Sequence, residues 1–99
     1  MTSLSPLVEA EVRERFAPGD APGILAALEA AQIPLGSRAA SSERPRIHLA
    51  IVKLAAGNVE EFRTALAIAE RDWRDVLVAA GLGNADWREQ LARAGMRVP

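Results

Sequence analysis

The segment Ile47-His48-Leu49-Ala50-Ile51-Val52-Lys53-Leu54-Ala55-Ala56 carries only two polar side chains, His48 and Lys53, and they stand five residues apart. A helix built from it keeps no broad face for water, so it belongs inside a protein rather than on its surface. In a chain of 99 residues the cover must come from other helices. The fold class that follows is all-α: a compact bundle of five or six short helices around a buried central helix at about 46–56.

Composition bounds what such a bundle can be. Ninety-nine residues make one domain, 1–99, long enough to fold without staples. Hydrophobic residues at 49% and charged residues at 25% describe a globular chain. The absence of cysteine excludes a disulfide framework, a thiolate metal site and a cysteine nucleophile together. A net charge of -1 gives no global attraction to nucleic acid or anionic lipid. The opening Met-Thr-Ser-Leu-Ser-Pro lacks a basic region and apolar run, and no apolar segment reaches the roughly 18 residues that spanning needs. The expectation is a bacterial-type cytoplasmic protein with no membrane partner. Charge is nonetheless uneven: residues 1–33 hold five acids and two bases, whereas Arg38, Arg44, Arg46 and Lys53 face only Glu43 within 37–56. The simplest reading is that these blocks of opposite sign face one another.

Along the chain, Ser5-Pro6 predicts a capped helix start, with Leu4, Val8, Val12 and Phe16 as its apolar stripe and Glu9/Arg13 and Glu11/Arg15 as surface pairs. Asp20 is the expected cap of a second helix through Gln32, with Ile24, Leu25, Leu28 and Ala31 inward. Residues 34–43 read as the longest loop, and Ser41 or Ser42 as the cap of the central helix, with Pro45 in its first turn. Gly57 reads as a left-handed terminator and Asn58/Glu61 as a capping box. From Val59, the residues Phe62, Leu66, Ala69, Trp73, Val76 and Ala80 recur at three and four, which fits one helix of about 22 residues. Asp72 and Asp75 equally suit a new start, with a bend near Arg71. Asn84 is the expected cap of a last helix to Ala94, ended by Gly95, with Met96–Pro99 as a fraying tail. Residues 72–81 align without gaps on 86–95 with six of ten identical, an echo best explained as similar helix punctuation.

The runs Arg46-Ile47-His48-Leu49-Ala50, Lys53-Leu54-Ala55-Ala56-Gly57 and Asp72-Trp73-Arg74-Asp75 resemble a family of small uncharacterised bacterial proteins sharing an Arg-x-His-Leu-Ala core helix and an Asp-(Trp or Tyr)-Arg-Asp segment. The resemblance covers residues 46–81. It implies a self-contained helical domain and brings no activity, cofactor or catalytic residue with it.

Six residues are the candidate binding site: His48, Lys53, Asp72, Trp73, Arg74 and Asp75. His48, the only histidine, needs a hydrogen-bond partner on so apolar a helix, because an unsatisfied buried ring costs about 1–3 kcal/mol. Asp72 or Asp75 is the expected acceptor. Lys53 can run its stem along apolar surface to water or reach a carboxylate in Glu60-Glu61 or Asp72–Asp75. Trp73 is expected to turn inward and Arg74 to pair with Glu70. Trp and Arg are also the residues that most often anchor interfaces. No catalytic residue, cofactor or metal is assigned, because one histidine without cysteine makes no metal set and Gly81-Leu82-Gly83-Asn84 makes no phosphate loop. Nucleic acid is not an expected partner, since Arg38, Arg44 and Arg46 form only a small patch. The favoured function is a non-enzymatic protein-interaction or adaptor module, its partner unnamed, self-associating through the 59–80 seam by Phe62, Leu66, Trp73, Val76, Leu77 and Val78. The alternative is a small-molecule-binding or catalytic protein with a polar pocket near His48, Lys53, Asp72 and Arg74.

Overall fold

The computed structural model describes residues 4–34 and 40–99, with side chains in the second stretch from residue 43 onward. Six α-helices occur among them: α1 (Pro6–Arg15), α2 (Ala21–Ala30), α3 (Ala40–Ala55), α4 (Val59–Arg71), α5 (Trp73–Ala80) and α6 (Trp87–Arg93). Six consecutive residues of α3, Ile47 to Val52, are buried. Since 3.6 residues complete a turn, that run closes off every direction around the helix. α1, α4 and α5 pack against it, and Phe16 of the α1 end meets Phe62 of α4 edge to face, 6.0 Å between centroids. Full burial of each large aliphatic side chain in α3 stabilises by about 1.5–3 kcal/mol, which is why the other helices gather on it.

Local chemistry explains most of the boundaries. Ser5 Oγ accepts from the Val8 N–H at 3.2 Å, and Asn58 Oδ1 accepts from the Glu61 N–H at 3.0 Å. The 59–80 run is two helices. Asp72 leaves the helical region at φ −155°, ψ 104°, ends α4 by donating its N–H to Ile68 O, and starts α5 by accepting from the Arg74 N–H. The apolar three-and-four register survives the break because both helices lie on the same core.

Several boundaries differ from the sequence reading. α3 begins at Ala40, so Ser41 and Ser42 lie within it, and Pro45 sits in its second turn, where its missing N–H forfeits one helical hydrogen bond. Of the expected 34–43 loop, residues 35–39 lie outside the described residues. α2 stops at Ala30 rather than Gln32, because Gln32 donates its N–H to Glu70 Oε2 of α4 instead of continuing the helix. Asp20 makes no side-chain cap. The last helix starts after Asp86, not Asn84, whose carbonyl accepts from the Trp87 N–H in the preceding turn.

The echo between 72–81 and 86–95 is structural as well. Trp73 and Trp87 each follow an Asp at the first helical position, and Gly81 and Gly95 both end their helices at positive φ, 75° and 74°. Each end closes with the same two bonds, Gly81 N–H to Val78 O with Leu82 N–H to Leu77 O, and Gly95 N–H to Ala92 O with Met96 N–H to Leu91 O. This is the Schellman arrangement, and it carries Leu82 and Met96 into the core. Met96 therefore begins a docked tail, not a frayed one. Beyond it the Arg97 guanidinium bonds Glu11 and Glu14 of α1, while Arg15 reaches Gly95 O at 3.2 Å. Glu11 is 1% exposed, so its pair with Arg15 at 2.8 Å is not the solvent pair its spacing suggested. Burial works to raise the Glu11 pKa, and Arg15 and Arg97 together more than offset it, leaving it below 4.5.

Gly57 joins α3 to α4 at φ +81°, and a Cβ there would stand 2.7 Å from Arg15 O. Gly81 has comparable φ but open space around it. Gly81→Ala should cost about 1 kcal/mol from backbone strain alone. Gly57→Ala should cost clearly more, because α1 must also move. Urea unfolding of the two variants compares them directly, and equal losses would contradict the close approach.

Candidate functional site

The sequence-derived candidates do not converge. His48 is 1% exposed, and its Nε2 has no hydrogen-bond partner among the described residues. Asp72 and Asp75, its expected acceptors, are exposed on α5. They start that helix, and neither bonds His48 among the described residues. Burial, with the positive charge of Arg44 in support, lowers the His48 pKa from 6.5 to about 4. The imidazole is therefore held neutral in the core.

Lys53 is half-buried and forms no ion pair with a carboxylate among the described residues. Its Nζ donates to Ala80 O, the last carbonyl of α5, at 2.6 Å. Seven residues earlier on the same face of α3, Arg46 donates to Leu82 O at 2.7 and 3.0 Å and to Asn84 O at 3.4 Å. It also pairs with Glu43 at 3.1 Å and lies 5.1 Å from the centroid of the Trp87 ring. Helix C-termini present unpaired carbonyls and the negative end of the dipole, so Lys53 holds the end of α5 and Arg46 the turn that follows it. The expected meeting of oppositely charged blocks does not involve these two cations, and Glu11 and Glu14 take their cation from the tail. The seven-residue spacing of Arg46 and Lys53 was visible in the sequence, but nothing there says that a helix end comes to lie across it.

Arg74 does not pair with Glu70, which is taken by Gln32. Its guanidinium lies 5.5 Å from the centroid of the Trp73 ring. No ion pair holds it among the described residues. Trp73 itself is half-buried. Of the six apolar residues assigned to the 59–80 seam, Phe62, Val76 and Leu77 are spent in the core and Leu66 is half-buried. Val78 alone stands out, at 74% exposure. It lines, with Trp73, Arg74, Leu77, Glu43 and Arg46, a groove of ≈ 500 Å³ between α3 and α5. A second groove of ≈ 310 Å³ runs between α2 and α4 over Ile24, Phe62 and Leu66. His48 lines neither.

The α3/α5 groove offers an exposed aliphatic side chain, a half-open indole and a spare guanidinium, which are anchor chemistry, while the one imidazole is buried and the lysine amine holds a main-chain carbonyl. The chain matches no protein-family model, and no curated protein or solved structure is significantly similar to it. No helix among the described residues is long and apolar enough to cross a membrane.

The buried neutral imidazole makes a signed prediction. The folded state binds the His48 proton less well than the unfolded chain, so stability is complete above pH 6.5 and falls as pH drops toward 4. Between pH 7.5 and pH 5 the loss should be about 2 kcal/mol, given pKa values of 6.5 and about 4. Glu11, held below 4.5, adds its own loss only at lower pH. His48→Leu should flatten the dependence in that interval without unfolding the protein. An unchanged slope in the variant, read by urea unfolding at both pH values, would count against this placement.

Proposed function

We propose that this chain is a non-enzymatic protein-interaction module whose docking surface is the outer face of α5. The observation that carries the reading is Val78, 74% exposed at the lip of a groove shared with Trp73 and Arg74. Aromatic and guanidinium side chains are the usual anchors of contact surfaces, and an exposed aliphatic residue beside them extends the apolar area they offer. The competing small-molecule or catalytic reading needs His48, Lys53, Asp72 and Arg74 at one pocket, and their positions argue against that. Membership in the family of small bacterial helical proteins that 46–81 resembles belongs to the same proposal, as does a cytoplasmic setting.

The test is photo-crosslinking in the native host with a benzophenone side chain at position 78 and, as control, at Glu89 on α6. A discrete adduct at 78 that is absent at 89 is the expected result. Absence of any adduct at 78, whatever its mass, would overturn the docking reading.

A further inference from the structure

The α3/α5 groove contains its own complement. On one wall stands Glu43, bonded to Arg46 yet with a carboxylate side chain still 27% exposed. On the other stands Arg74, exposed, stacked on Trp73 and in no ion pair among the described residues. Trp73, Leu77 and the exposed Val78 share the wall of Arg74, and Arg46, paired with Glu43, shares the other. A knob and a hole on one surface, with opposite charges across the hole, are what an isologous two-fold contact requires. A two-fold axis along the groove sets the α3 wall of one copy on the α5 wall of the other. Each Arg74 then meets the other copy's Glu43, and each Val78 has a groove to enter.

We infer that the occupant of this groove is a second copy of the chain, in a symmetric dimer with Val78 of each protomer seated in its partner and Arg74 paired across the axis with Glu43. The inference rests on the reading of α5 as a docking surface and deepens it by naming the partner. A heterologous partner would need matching charges supplied by its own sequence, whereas a second copy supplies both automatically. The few side chains that line the groove put the contact at the small end of specific interfaces, below about 1,200 Å² in total. The dimer is therefore weak, and concentration is the variable that exposes it.

Sedimentation velocity across a concentration series up to about 500 μM, high enough to populate a weak dimer, should show the mass rising from 10.6 kDa toward twice that value. Val78→Ser should abolish the rise. Arg74→Glu and Glu43→Lys should each abolish it too, by placing like charges together twice. An equimolar mixture of those two variants should restore it, since both contacts then join opposite charges. Circular dichroism melts establish that each variant is folded, and should Glu43→Lys fail to fold for want of its Arg46 pair, Val78→Ser and Arg74→Glu decide the matter. Constant monomer mass in the unaltered chain, undiminished dimer in Arg74→Glu, or a mixture of folded variants that stays monomeric each overturns the inference. The two readings separate cleanly: a monomer that still gives a foreign adduct at position 78 sinks self-pairing and leaves docking standing.

Discussion

A helix with no wet side dictates the shape of this molecule. Once Ile47 to Val52 are dry in every direction, the remaining helices must surround α3, and each must turn its apolar stripe toward it. The expense of this arrangement falls on the polar groups α3 still carries. Lys53 is brought to the last carbonyl of α5 and Arg46 to Leu82 O in the turn that follows. His48 Nε2 finds no partner among the described residues, and the ring survives by remaining uncharged. A buried polar atom without a partner is costly, so its presence marks a site where packing outweighed hydrogen bonding.

The two cations also explain why α5 can be a separate helix of eight residues. So short a helix is marginal by itself. Asp72 satisfies its first turn, the Gly81 turn closes its last, and α3 supplies charge to the carbonyls that the turn leaves over. With both ends held, the outer face has no structural duty. That freedom is what allows Val78 to face outward and Arg74 to do so in no ion pair among the described residues.

The burial of α3 was legible because an uninterrupted apolar run admits a single explanation. The caps at Ser5 and Asn58 and the stop at Gly57 were legible because they depend on residues within one turn of each other. The partners of Lys53 and Arg74 were not. Arg74 was expected to take a carboxylate and Lys53 water or a carboxylate, whereas Lys53 took a main-chain carbonyl and Arg74 took an indole. Those choices depend on how helices distant in sequence cross, and one-dimensional spacing carries little of that. The tail was misread for the same reason: Glu11 and Arg97 are 86 residues apart, and Glu11/Arg15 alone looks like an ordinary solvent pair. For the candidate site, Trp73 and Arg74 could be named from their residue types, while Val78 could be named only as one of several apolar residues whose burial had still to be decided.

The duplicated Asp-Trp-Arg segment leaves the two indoles in equivalent helical positions but in unequal surroundings. Trp87 is nearly enclosed, with guanidinium groups of Arg46 and Arg88 at 5.1 and 4.3 Å, whereas Trp73 remains half open beside the groove. The molecule thus carries two intrinsic fluorophores with separate duties. Emission from the enclosed ring follows the integrity of the body, and emission from the open ring follows whatever settles against α5, so a spectrum can tell occupancy from unfolding without any added label.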